Sequence, residues 1–232
     1  MNDIAHAGGT IDGHKYSNSI EAIIRSVSIG FSYIELDVVQ LADGFGIAHD
    51  GMERSYGVND FSQVNNVDFL NLKVYGRYTP PQFEQLLEIS AKNNITWIFD
   101  SKFKQLTNYM SFMSFVNGLK LLNRCIFQAY SLAEATAARD LGARQVIFAL
   151  WKNYGSDSLS ESALQELQSM NKLGFDNVCV SLSYRKYNKP DLNYLEDPRF
   201  EALKGCGNRV IFHNIPGSDI ALVKSKGFSI FL

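Results

Sequence analysis

From Ile95 to the C-terminus the chain repeats one pattern, a short apolar run followed by a stretch with apolar residues at helical spacing. The runs fall at 95–100, 125–129, 145–150, 177–182, 209–213 and 227–231, and the helical stretches lie near 109–122, 132–141, 160–173, 197–204 and 218–225. A near-continuous apolar run marks a strand buried on both faces, the habit of parallel sheets covered by helices. Two earlier runs end near Ala7 and Val39, which makes eight strands, each but the last followed by a helix. Eight such units without a dinucleotide-binding glycine fingerprint predict a closed (β/α)8 barrel, a TIM barrel, in preference to an open doubly wound sheet. The 232 residues suffice for one such barrel and no linker interrupts them, so a single domain over 1–232 is expected.

The first third departs from the repeat. Ile20, Ile23, Ile24 and Val27 recur at helical spacing and predict a helix over 19–28, with Asn18 and Glu21 placed to form a capping box. After the second strand, Asp43-Gly44 signals a turn, and a short apolar segment returns to His49-Asp50. This predicts a hairpin extension of the barrel after strand 2. Residues 51–79 are polar and read as a long irregular loop over one end of the domain. In Thr79-Pro80-Pro81-Gln82, Thr79 is the expected helix N-cap, with Pro80 at the first helical position.

A formal charge of −2 argues against a nucleic-acid partner bound through bulk positive charge. No apolar run approaches the ~18 residues of a transmembrane helix. The N-terminus carries neither a basic region nor an apolar signal core, so the expected location is cytoplasmic. Cys125, Cys179 and Cys206 lack metal-ligand spacing and lie in or near apolar segments, where buried free thiols are expected.

In a (β/α)8 barrel the active site lies at the C-terminal ends of the strands. His6 ends the first predicted strand, Glu35 and Asp37 lie in the second, and Asp100 and Lys102 end the third. Residues two apart in a strand share a face, so Glu35 and Asp37 project together, and His49 returns beside them. Three buried carboxylates repel one another and raise each other's pKa. One divalent cation, Mg²⁺ or Ca²⁺, would remove that cost, since hard cations prefer carboxylate oxygens. The unperturbed pKa of a histidine side chain lies close to physiological pH, so His6 and His49 could serve as the acid and base. Gln128 and His213, at later strand ends, are further candidates for touching substrate, with Trp151-Lys152 and Tyr184-Arg185 behind them. His14 reads as an exposed loop residue, and one of Lys102 and Lys104 as a solvated loop charge.

The run His6-Ala-Gly-Gly, Asn18-Ser, Glu35-Leu-Asp37, Asp43-Gly and His49-Asp50 resembles the glycerophosphodiester phosphodiesterase family of phosphatidylinositol-phospholipase-C-like barrels. Asp100-Ser-Lys102 stands where that family has an acid-x-Lys element. The resemblance implies that His6 and His49 are the catalytic acid and base, that Glu35, Asp37 and Asp100 hold one divalent metal, and that Lys102 meets phosphate charge. It implies hydrolysis of a small-molecule or polymer-linked phosphodiester through a cyclic phosphate. The rivals are a lyase that stops at the cyclic product and a non-catalytic barrel that binds a phosphorylated polymer. The chain departs from the family at Ala7, where an arginine is usual, at Ser17, where an acid is usual, and at Asp100, where a glutamate is usual. The family's acidic loop after the last strand is expected to be absent, the sequence ending at Leu232. Without the arginine, a less tightly gripped phosphate and a bulkier diester, glycan- or polyol-linked, are expected.

Overall fold

Strands β1 (Ile4–Ala5), β2 (Tyr33–Gln40), β3 (Phe45–Ile47) and β4 (Thr96–Ser101) are assembled around β2, which pairs in parallel with β1 and β4 and antiparallel with β3. The computed structural model describes residues 3–154, 160–184, 199, 203 and 209–232. The chain divides into two compact units, Ile4–Ile126 and Phe127–Leu232, the latter taking in Asp3 as well. From Cys125 onward, β5 (Cys125–Ala129), β6 (Gln145–Phe148), β7 (Asn177–Ser183), β8 (Arg209–His213) and β9 (Ser229–Ile230) follow one another in parallel register. With β3 set aside as the hairpin strand, the parallel strands and their helical crossovers are those of a (β/α)8 barrel.

Helix α1 (Ile20–Ser28) follows the reading, but its cap does not. Ser19 is the N-cap and accepts the Ala22 N–H, which leaves Asn18 and Glu21 free of the predicted capping box and engaged elsewhere. The 51–79 segment is the larger correction. Two 3₁₀ turns, Glu53–Tyr56 and Phe61–Gln63, and α2 (Asn66–Asn71) organise it. Tyr56, Phe61, Phe69, Val74 and Tyr78 pack on Val39, Leu41 and Ala48 of the hairpin. Two hairpin glycines allow that approach. A Cβ on Gly46 would sit 2.9 Å from the Phe69 ring, and one on Gly44 would sit 2.5 Å from the Asn66 amide nitrogen.

Helix α3 (Phe83–Lys92) starts three residues later than expected, with Gln82 and Gln85 forming its capping box. Thr79 is drawn away because its N–H and hydroxyl both donate to the Glu21 carboxylate, at 2.9 and 2.8 Å. Helix α4 (Leu106–Gly118) begins a turn early and ends before Lys120, whose backbone is left-handed. Helices α5 (Leu132–Asp140), α6 (Leu150–Tyr154), α7 (Glu161–Asn171) and a last helix, Ile220–Ser225, separate the later strands. Leu150 opens α6 and does not extend β6. Within the helix expected at 197–204 only Arg199 and Leu203 are described, both helical, while Arg185 and Cys206 lie outside the described residues. Cys125 and Cys179 are buried free thiols. Among the described residues, no helix is long and apolar enough to cross a membrane.

Candidate active site

The site is built from the first three parallel strands and the loops that follow them, all within Ile4–Ile126. β1 ends in a 3₁₀ turn, His6–Gly8, in which Ala7 is left-handed (φ 50°) and fully buried. That turn points the Ala7 N–H at Glu35, whose Oε2 accepts it at 2.6 Å. In the parallel register Asp37 lies beside Asp100, and Glu35 shares their face. One carboxylate oxygen from each of Glu35, Asp37 and Asp100 lies within 4.8 Å of the others, and all three residues are buried. His6 Nε2 is 3.8 Å from Glu35 Oε2.

Lys102 lies just past β4, its Nζ 3.2 Å from Asp37, 3.0 Å from Asp100 and 3.0 Å from Asp50. Burial opposes its charge, but Asp100, Asp37 and Asp50 more than compensate and raise its pKa well above the usual lysine value. Lys102 therefore neutralises part of the acid cluster as well as lying where phosphate charge would arrive. Asn18 supplies the second support. Its amide N–H donates to Asp37 Oδ2 at 2.9 Å, and its carbonyl accepts the Asp37 backbone N–H at 3.0 Å. Burial would raise the Asp37 pKa, yet Lys102, the two histidines and the Asn18 bond hold it below the usual carboxylate range.

The remaining acid is not balanced. Burial first, then Asp37 and Asp100, push the Glu35 pKa well above its ordinary value, and the Ala7 N–H and Lys102 only partly offset them. Three converging carboxylates with one ammonium make a hard-oxygen donor set with negative charge to spare, which fits a divalent cation. His6 is enclosed enough that loss of water lowers its pKa to about 4 despite the attraction of Asp37. His49, two residues beyond β3, donates from Nδ1 to the Asp50 backbone carbonyl, which can only accept, so Nε2 is the ring nitrogen left for substrate. Tyr16 touches both imidazoles, its ring centroid 5.1 Å from each.

The structure thus brings His6, Glu35, Asp37, His49, Asp100 and Lys102 together. Gln128 and His213 belong to the other unit. There Gln128 is buried at the end of β5 and donates to the Tyr130 hydroxyl at 3.0 Å. His213 is buried at the end of β8, 3.5 Å from Ser181 Oγ and edge-on to Trp151 at 4.9 Å. His14 is not the solvated residue expected. It stacks on Tyr75, with ring centroids 4.4 Å apart. Asn18 and Tyr16 were not among the candidates. The Asn18 position in the family-like motif was a signal for the first, while Tyr16 left no signal in spacing.

The same arrangement of strands recurs in solved structures. A glycerophosphodiester phosphodiesterase from Parabacteroides distasonis superposes with a TM-score of 0.74 at 19% identity, covering 99% of this chain and 91% of that one. The fold is that of the glycerophosphodiester phosphodiesterases. A candidate glycerophosphodiester phosphodiesterase from Galdieria sulphuraria gives a TM-score of 0.76 at 14% identity, covering 99% of this chain and 92% of that one. The glycerophosphoryl diester phosphodiesterase domain of a Mycobacterium tuberculosis protein gives 0.69 at 14% identity, covering 100% and 96%. In sequence, neither a family model nor a curated protein matches the chain.

Proposed function

We propose that the chain is a metal-dependent phosphodiester hydrolase acting on a glycerophosphodiester-type substrate by two-histidine acid and base catalysis. The observation that carries this reading is the convergence of His6, His49, three carboxylates and Lys102 at the ends of the first parallel strands. The fold shared with glycerophosphodiester phosphodiesterases supports it. Glu35, Asp37 and Asp100 would hold one Mg²⁺ or Ca²⁺, which when bound neutralises charge on the phosphate and acidifies a nearby hydroxyl.

The chain's own groups do the rest. His6, neutral near pH 7 because its pKa is depressed, accepts the proton of the substrate hydroxyl that neighbours the phosphate. That oxygen attacks phosphorus, the bond to the leaving alkoxide breaks, and His49, entering this step as the imidazolium with both ring nitrogens protonated, delivers its Nε2 proton to the alkoxide and ends neutral with its proton on Nδ1. Water then opens the cyclic phosphate with the two roles exchanged. Lys102 meets the phosphate oxygens from the acid side, and Asn18 keeps Asp37 oriented. Ala7 brings no side-chain cation, only a backbone N–H. The phosphate grip is correspondingly light, in keeping with a bulkier leaving group such as a glycan- or polyol-linked one.

The test is a panel of small, glycan-linked and polyol-linked glycerophosphodiesters, with and without Mg²⁺ or Ca²⁺, followed by phosphorus NMR. A phosphomonoester that appears only with divalent cation supports the reading. A cyclic phosphate as the end product would make the protein a lyase. No cation-dependent turnover of any diester would leave a binding barrel.

A further inference from the structure

Tyr16 is held in a conformation that a bulky residue avoids. Its backbone is left-handed (φ 60°), and so are those of Asp12 and Asn18 nearby (both φ 48°). Such a conformation persists only where the surroundings enforce it, and here the enforcing contacts come from both sides of the residue. The Tyr75 hydroxyl donates to the Lys15 carbonyl at 2.9 Å, and the Tyr56 hydroxyl donates to the Ser17 carbonyl at 3.2 Å. Both tyrosines belong to the 51–79 segment, so that segment grips the peptide groups that bracket Tyr16. The same segment fixes the rest of the loop. Asp12 accepts from Arg77 at 2.9 Å and from the Tyr78 hydroxyl at 2.8 Å, while His14 lies on the Tyr75 ring. On the inner side, the Asn18 N–H donates to the Ala7 carbonyl at 3.0 Å and its side chain is tied to Asp37.

The consequence is where the ring goes. It stands between His6 and His49, at 5.1 Å and nearly perpendicular to the first (85°), and at 5.1 Å and 65° to the second. Edge-to-face contacts at this range are the preferred geometry of aromatic pairs, so each imidazole has its plane set by the same phenol ring. Acid and base work depends on such placement, because a shift of about 1 Å in a reacting group costs on the order of 10²-fold in rate.

We infer that Tyr16 is a positioning residue which orients both His6 and His49, and that Tyr56 and Tyr75 of the 51–79 segment hold it in place. This rests on the acid and base roles proposed above, but the orientation itself can be read without turnover. The chain has four histidines, so their imidazole proton signals are separable by NMR. Tyr16→Gly removes the ring and suits the left-handed backbone, and Tyr16→Phe keeps the ring. In Tyr16→Gly the His6 and His49 signals should move and broaden while those of His14 and His213 stay. Tyr16→Phe should retain the wild-type pattern.

On the best diester of the panel, Tyr16→Gly should lower kcat about 10- to 100-fold with KM within about 3-fold, and Tyr16→Phe should restore kcat to within about 3-fold. Cation affinity and thermal midpoint should stay close to wild type in both. Unmoved His6 and His49 signals in Tyr16→Gly would overturn the inference, as would unchanged kcat or a Tyr16→Phe variant as slow as Tyr16→Gly. If Tyr16→Gly fails to fold, Tyr75→Phe, which loosens one clamp from a distance, must shift the same two signals or the inference fails. If wild type turns over no diester, the phosphodiesterase reading falls, and the NMR arm alone decides whether Tyr16 orients the pair.

Discussion

The strand ends of the two units carry different chemistry. In Ile4–Ile126 they present His6, Glu35, Asp37, Asp100 and, just beyond, Lys102, groups chemically able to exchange protons or bind cations and linked by ion pairs. In Phe127–Leu232 they present Gln128, Ser181, Ser183 and His213, buried groups set among the rings of Tyr130, Trp151 and Phe231. A cluster of carboxylates needs a balancing charge, whereas polar hydrogen-bonding groups next to aromatic rings need a partner of matching shape. The difference sets groups suited to proton transfer and cation binding in the first unit against hydrogen-bonding and aromatic groups in the second.

The contrast is broken most directly at its histidines. His6→Ala and His49→Ala should each lower turnover by ~10²–10⁴ with the fold intact, the loss common to a positioned acid or base. His213→Ala should cost less than about 10-fold and act mainly on KM, as a residue outside the proton path would. Equal losses for all three in steady-state kinetics would erase the distinction. Next in size is Asn18→Ala, which strips two hydrogen bonds from Asp37. A group that orients a metal ligand typically contributes 10–100-fold to affinity or activity, and a fall of that order in cation affinity by calorimetry is expected.

Glu35 sharpens the contrast through pH. Its pKa is raised in the folded protein, so the folded state binds the extra proton and chelated protein loses stability as pH rises above the ordinary glutamate range. Glu35→Gln should remove that slope and make chelated protein more stable at neutral pH, while abolishing the gain from added cation. Thermal midpoints across pH 4–8, with chelator and with Mg²⁺ or Ca²⁺, test both signs. The smallest effect belongs outside the site. Burial would raise the Glu21 pKa, but the Thr79 N–H and hydroxyl outweigh it and lower it. The stability it contributes is therefore present above the ordinary glutamate pKa and lost as pH falls through the depressed value. Glu21→Gln should lose about 1 kcal/mol at pH 7 after allowing for solvent screening, and little at pH 3, by urea denaturation, with kcat unchanged.

Much of this was legible in the sequence because it rests on short-range pattern. β5 and β8 lie where their apolar runs lie, and the β2–β3 hairpin follows from alternation around Asp43-Gly44. The six charged and histidine positions of the site were readable because strand ends in a barrel converge by topology. What escaped depends on contacts between distant segments. Asn18 looks like a cap in isolation and becomes an Asp37 ligand only when α1 is laid against β2. Thr79 looks like a cap until Glu21, 58 residues away, claims its donors. The 51–79 segment reads as loop because its aromatic residues follow neither helix nor strand period, yet they fill a core against the hairpin. Tyr16 was invisible because its place is set by a backbone conformation that no propensity favours.

The central claim, that Glu35, Asp37 and Asp100 together hold the cation the chemistry needs, is tested most directly by crystals grown with Mn²⁺ as an anomalous scatterer. The account predicts one strong anomalous peak bound by an oxygen of each of these three residues, at about 2.0–2.6 Å as for other oxygen-coordinated divalent cations. A peak held elsewhere, such as by Asp50 and His49 without Glu35, or no peak at saturating Mn²⁺, would contradict it.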